Sequence, residues 1–133
     1  DHGWVANFCI RAVIDLPITI FGTGKQLRDI LYATDVAEAF DHFYNNPKSG
    51  IYTLGGGTHN MISLIESIGL IEKLTRKKIF PVYKEERFGD LHYFVADFSK
   101  FNDATGWEPK ISPEKGIKNL IKWVQKNERL FYK

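Results

Sequence analysis

Apolar positions along this chain recur with two different periods, and the switches between them mark out its elements. Trp4, Val5, Phe8, Ala12 and Val13 fall at helical spacing, which predicts an amphipathic helix over residues 3–14. Pro17 ends it and opens "PITIF", a short β-branched strand stopped by Gly22 and Gly24. "DILYA", residues 29–33, reads as the next strand. Asp35 with Glu38 has the form of a capping box, opening a helix that carries Val36, Ala39, Phe40 and Phe43. A loop through Asn45, Asn46, Pro47 and Gly50 leads into "IYTL", residues 51–54, a buried-type strand that runs into Gly55, Gly56 and Gly57.

The same alternation continues to the end of the chain. Ser63 with Glu66 is a second capping box, and its helix carries a stripe at Leu64, Ile65, Ile68, Ile71 and Leu74. Gly69 inside that helix costs about 1 kcal/mol against alanine, which predicts close packing at this point. "KIFPVYK" is a strand whose Pro81 marks an edge or a bulge. "HYFVAD" is a further short strand, and Ser99 is expected to cap a short helix ending near Gly106. Ser112 and Pro113 then stand at the cap and first position of a last helix, with Ile117, Leu120, Ile121 and Val124 on one face. Short strands alternating with helices define an α/β class, without internal repeat or flexible linker.

Charge and composition narrow the function classes. A net charge of +2 over 133 residues, with scattered Lys and Arg, does not suggest a nucleic-acid binder. The best basic run, Arg76, Lys77 and Lys78, closes a helix, where cations offset the helix dipole in solvent. No apolar stretch approaches the ~20 residues of a membrane span. A single cysteine, Cys9, fits a reducing cytoplasm and reads as a buried structural thiol rather than a nucleophile. His2, His42, His59 and His92 are isolated, without metal-ligand spacing. The chain opens at Asp1 and its only methionine is Met61, so it reads as a piece of a longer protein.

Three stretches could carry chemistry. In "GTGKQLRD" the glycines allow a tight turn and close approach of a ligand, while Gln26 and Arg28 project from one side of the chain. The planar fork of Arg28 suits a phosphate, and an ion pair with Asp29 or Asp35 suits it equally. In "YTLGGGTHN" three glycines leave backbone N–H groups that could face an anion, although a plain loop before Ser63 explains them as well. In "ERFGD" Arg87 and Asp90 flank Gly89, a pair fitted to a phosphate and to ribose hydroxyls, or to a surface turn closed by their own ion pair.

Taken in order, "PITIFGTGKQLRDILYATDVAEAF", "GIYTLGGG", "ERFGDLHYFVADFSKF" and "GWEPKISPEKGIKNLIKWV" resemble the C-terminal part of the NAD-dependent sugar-nucleotide epimerase/dehydratases. These are extended Rossmann-type short-chain dehydrogenases, and the resemblance spans essentially the whole chain. The opening "DHGWVANF" is similar to the "DQGW" region of the CDP-paratose (CDP-tyvelose) 2-epimerase subfamily, with His2 in place of Gln. The resemblance implies that residues 1–133 are a nucleotide-sugar-binding portion and that NAD is bound by an N-terminal Rossmann domain upstream of it. It implies that Arg28 and Arg87 hold a diphosphate, that Asp90 takes ribose hydroxyls, and that the strand around Thr19 and Phe21 lines the base. It further implies a homodimeric parent acting on a nucleotide-diphosphate sugar.

The chain departs from the family's pattern at Thr53, where "YNIGG" has Asn, and at Phe88, where "RPGD" has Pro. His92 stands where many members carry Arg or Lys, so the nucleotide contacts are expected to differ. The family's Tyr-x-x-x-Lys pair has one formal match, Tyr44 to Lys48, in a stretch that Pro47 and two asparagines mark as loop. No spaced-glycine fingerprint is present either, so the catalytic pair and the NAD site are expected outside this chain. The expected parent is a CDP-sugar epimerase, with a 4,6-dehydratase or UDP-sugar 4-epimerase as alternatives within the family. A non-catalytic nucleotide-sugar-binding chain is the alternative outside it.

Overall fold

The structure, a computed structural model, describes residues 3–132. It divides into two compact units, each assembled from separated stretches of sequence. The first comprises residues 1–26, 63–92 and 114–133, and the second residues 27–62 and 93–113.

In the first unit, helix α1 (Trp4–Val13) buries Phe8, Cys9, Ala12 and Val13 and packs against helix α3 (Leu64–Thr75). The predicted helix is there, and burial pushes the Cys9 thiol up to about 12, the inert state expected of it. Strand β1 (Thr19–Phe21) pairs in parallel with β4 (Val82–Lys84), Thr19 opposite Val82 and Phe21 opposite Lys84. Pro81 stands just before β4, where no ladder hydrogen bond is asked of it. Helix α5 (Pro113–Lys126) turns Ile117, Ile121 and Val124 inward, and Pro113 is its first residue as its fixed φ favours.

The Ser63 capping box forms with both of its bonds. The Ser63 hydroxyl accepts from the Glu66 N–H at 3.2 Å, and the Ser63 N–H donates to Glu66 Oε2 at 2.8 Å. The Ser63 hydroxyl, and then its backbone N–H, hold the Glu66 carboxyl below its ordinary range. The basic run behaves differently from expectation. Arg76 takes a left-handed conformation at the end of α3 (φ 58°), and Lys77 Nζ donates to the Ala12 and Val13 carbonyls and to Asp15. Lys77 thus closes the C-terminus of α1, where unsatisfied carbonyls and the negative dipole end attract a cation.

Gly69 also departs from expectation, since it is exposed and a Cβ there would meet nothing within 4 Å. Its backbone is helical, so only the flexibility cost of glycine remains. Gly69→Ala is therefore expected to stabilise the chain by about 0.5–1 kcal/mol. A urea midpoint unchanged or lowered in the variant would contradict this.

In the second unit, strand β2 (Leu27–Asp29) lies between β3 (Met61–Ser63) and β5 (Tyr93–Phe94), parallel to β5 with Leu27 opposite Tyr93. The strand expected at 29–33 thus sits earlier, because the ladder is set by its partners and not by the apolar run. Helix α2 (Ala33–Asn45) begins before Asp35, with Tyr32 at its cap position and no side-chain capping bond. Asp35 is buried in the first turn, and its Oδ2 accepts the N–H groups of Lys110 and Ile111 at 3.2 and 3.0 Å. The predicted helix is present but its cap position lies three residues before Asp35, and the expected Asp35–Glu38 capping box does not form. On α2, Ala39 is buried while Phe40 is exposed.

"IYTL" runs extended but joins no ladder among the described residues, and Ile51 is 89% exposed. Tyr52 instead packs edge-on against Phe43 and Phe101. Helix α4 (Ser99–Thr105) has Phe98, not Ser99, at its cap position. Asp97 Oδ1 accepts the Ser99 N–H at 2.9 Å, and this bond holds the Asp97 carboxyl below its ordinary range. Ala39, Phe101 and Trp107 form the core of this unit, flanked by Leu31, Phe43, Tyr52, Leu54 and Phe98.

Candidate functional site

Strand β1 ends at Phe21, and the Gly22 N–H donates to the Lys84 carbonyl at 2.9 Å, carrying the pairing with β4 one residue further. The chain then turns and comes back at Gln26, whose side chain is buried (4% exposed). Gln26 Nε2 donates to the Phe21 carbonyl at 2.7 Å and to Asp90 Oδ2 at 3.2 Å. Its Oε1 is buried without a hydrogen-bond partner among the described residues. Such an orphaned acceptor costs about 1–3 kcal/mol, so the amide is retained against a folding cost.

Across from this lies the turn of residues 87–90. The Asp90 N–H donates to the Arg87 carbonyl at 3.1 Å, and Gly89 sits at φ +80°, a conformation that side chains rarely adopt. The turn is closed through its backbone, and its two charged side chains take different partners. The Arg87 guanidinium stacks on Phe21, its Cζ 3.7 Å from the ring centroid, while Asp90 receives Gln26. Stacking restrains this exposed guanidinium, whose planar fork of donors is chemically matched to phosphate oxygens. Next to the turn, His92 Nε2 lies 3.3 Å from Glu86 Oε1, and Phe88 is fully exposed. Thr19, Phe21, Gln26, Arg87 and Asp90 thus belong to one unit of the chain.

Arg28 and Thr53 belong to the other. Arg28 is half-buried on β2, and its Nη1 donates to the Leu27 carbonyl at 2.8 Å. Asp29 and Asp35, the carboxylates within reach of Arg28 in sequence, both accept backbone amides. Asp35 takes those of Lys110 and Ile111, and Asp29 Oδ2 takes the N–H groups of Gly56 and Gly57 at 2.7 and 3.2 Å. The triple-glycine loop is therefore an anion cradle filled by the protein's own Asp29. Its glycines are required by crowding as well, since a Cβ on Gly55 would run into Ala96 and Asp29, and one on Gly56 into the Ile30 carbonyl. Thr53 is exposed beside this loop. Nothing in the sequence flagged Asp29 or Asp35 as the acceptor of these amides, because each bond joins residues far apart in the chain.

Tyr44 lies near the end of α2 and is 81% exposed, whereas Lys48 falls beyond the last helical residue, Asn45. Part of the expected loop is thus helix, but the two side chains do not share a helical face. His42 Nδ1 is 3.1 Å from the Thr105 carbonyl, and His59 is exposed; His2 lies outside the described residues. Among the described residues no group of three metal-ligating side chains converges, and no helix is long and apolar enough to cross a membrane.

Short strands paired in parallel and interspersed with helices, arranged as above, are shared with solved Rossmann-type sugar-nucleotide epimerases. The chain resembles the UDP-glucose 4-epimerase of Thermotoga maritima solved with UDP-glucose, with a TM-score of 0.87, 30% identity, and coverage of 95% of this chain and 40% of that one. It also resembles MoeE5 in complex with UDP-glucuronic acid and NAD, with a TM-score of 0.83, 25% identity, and coverage of 92% and 41%. In sequence it is 34% identical to the CDP-paratose 2-epimerase of Salmonella typhi over 132 residues, 93% of this chain and 39% of that protein. Residues 5–120 match the family described as GDP-mannose 4,6 dehydratase, and the chain belongs to that family. It spans about two-fifths of the length of these relatives.

Proposed function

We propose that this chain is the nucleotide-sugar-binding part of a longer NAD-dependent sugar-nucleotide epimerase, acting on a CDP-sugar by transient oxidation and re-reduction at a sugar carbon. The observation that carries this reading is the paired presetting of Arg87 on Phe21 and of Asp90 on Gln26, an anion-binding fork and a hydroxyl acceptor raised on one short turn. In this reading Arg87 and Arg28 bind the diphosphate, Asp90 accepts from the ribose hydroxyls, Thr19 and Phe21 line the base, and Thr53 donates to a phosphate. The likeness to a CDP-paratose 2-epimerase supports the choice of CDP. Within the same family, the solved neighbour holding UDP-glucose favours a UDP-sugar 4-epimerase as the second reading.

We infer that the described residues of this chain do not hold NAD. The amides of its glycine loop are engaged by Asp29, and Tyr44 and Lys48 do not share a helical face. We assign the cofactor and the redox step to a portion of the protein outside residues 1–133, and binding and orientation of the substrate to this one. The full enzyme is read as a cytoplasmic homodimer, a compartment that the buried, free Cys9 supports.

Calorimetric titration of the chain with CDP, UDP and NAD tests this directly. CDP or UDP is expected to bind and NAD is not, and incubation with NAD and CDP- or UDP-sugars is expected to yield no epimer or keto-sugar. A chain that binds neither CDP nor UDP would remove the nucleotide reading, and turnover by the chain alone would remove the division of labour. The complete protein, given CDP-sugars, is expected to return an epimer of unchanged mass; loss of water would favour a dehydratase.

A further inference from the structure

We propose that Gln26 is a positioning residue that acts through Asp90, holding its carboxylate where ribose hydroxyls are received, and does not itself contact the nucleotide. The inference rests on the nucleotide reading above and adds a second residue behind the first.

Both amide protons of Gln26 have protein partners. One goes to the Phe21 carbonyl at 2.7 Å and the other to Asp90 Oδ2 at 3.2 Å, so the side chain ties the end of β1 to the turn of residues 87–90. Both partners are acceptors, which decides the orientation of the amide: reversed, Oε1 would face a carbonyl and a carboxylate. The remaining atom, Oε1, is buried and has no hydrogen-bond partner among the described residues, while the residue as a whole is 4% exposed. An apolar side chain of the same length would fill this space without burying an unsatisfied acceptor. A glutamate would set a second carboxylate against Asp90. A long amide supplies two donors in this place without adding a charge, and what those donors accomplish is to join a strand end to a carboxylate 64 residues away.

Asp90 stands on a turn whose neighbouring residues, 82–89, are exposed, and the bond from Gln26 reaches it from the end of β1. It follows Gly89, which has φ +80°. A carboxylate on such a turn would sample several orientations, and ordering it on binding would weaken the complex. The bond from Gln26 contributes to that ordering in advance. Phe21 serves both charged groups of the turn, its ring carrying Arg87 and its carbonyl anchoring Gln26.

Gln26→Met keeps length and burial and deletes both donors. With the 133-residue chain, affinity for UDP or CDP is expected to fall roughly tenfold, while affinity for the 2′,3′-dideoxy nucleotide stays within about twofold of wild type. Asp90→Ala should show the same selective loss, and the double variant should lose no more than Asp90→Ala alone. Equal losses for ribose and dideoxyribose ligands would make Gln26 a structural residue only and overturn the proposal, as would no loss at all. Gln26→Asn, which keeps the amide but is one methylene short, is expected to behave as Gln26→Met; full retention of ribose selectivity would count against the tie. The tie can also be read without ligand. In Asp90→Ala the side-chain amide resonances of Gln26 should move and exchange faster with solvent, and unchanged resonances would overturn the proposal. If wild type binds neither UDP nor CDP, the nucleotide reading fails by itself, and these resonances still decide whether Gln26 holds Asp90.

Discussion

Trp107→Ala is expected to cost the chain about 3–5 kcal/mol, the largest loss from any single change considered for it. Trp107 is fully buried, and its ring meets Phe98 and Phe101 edge-on, each at 5.6 Å between centroids. Its Nε1 donates to the Asp35 carbonyl at 2.9 Å, fastening the segment after α4 to the first turn of α2. Alanine would leave both a cavity and a lost donor, and domains of this size hold only about 5–15 kcal/mol in total. Trp107→Phe keeps most of the ring and deletes the hydrogen bond, so it should cost less, about 1–2 kcal/mol. Urea unfolding followed by far-ultraviolet circular dichroism measures both. A loss under 1 kcal/mol for Trp107→Ala would mean that this aromatic cluster is not the core of its unit.

The second large effect concerns ligand affinity. Arg28→Ala and Arg87→Ala are each expected to weaken binding of UDP or CDP by about 1.5–3 kcal/mol, the range for hydrogen bonds to charged groups. Lysine at either position should recover only part of this, because an ammonium keeps the charge and loses the planar fork. At position 87 lysine also weakens the stack on Phe21, whose ring now orients the guanidinium. Asp90→Asn should cost less than either, as an amide oxygen still accepts from a hydroxyl. Calorimetric titration of each variant gives the answer. If both alanine variants bind as tightly as wild type, these arginines are structural, and the site lies elsewhere.

The helices were legible wherever their signals were local. The stripe of α1, the Ser63–Glu66 box and Pro113 at the start of α5 all depend on residues within one or two turns, and each stands where it was read. Strands were legible as extended, apolar runs but not as paired ones. "DILYA" and "IYTL" look alike in sequence, yet the ladder forms at Leu27–Asp29 and passes over Ile51 to Leu54, because pairing needs a neighbour that the run itself does not name. Cap residues failed for a related reason. Asp35 has the spacing of a cap and was claimed instead by two amides more than seventy residues away.

The candidate site divides along the same line. Which residue types stand in "GTGKQLRD" and "ERFGD", and hence the chemistry they are able to offer, was determined by the sequence alone. So was family membership, which residues 5–120 carry in their order of motifs. Which donors remain for a ligand was decided only by tertiary structure. The triple-glycine amides, open on paper, went to Asp29, and the donors of Gln26 went to Phe21 and Asp90. Arg87 and Asp90, three residues apart and equally able to pair with each other, were drawn to Phe21 and Gln26 instead. Local spacing sets what a side chain can reach within its own turn. A buried donor or acceptor must be satisfied by whatever the rest of the chain brings against it, and that is settled only when distant segments meet.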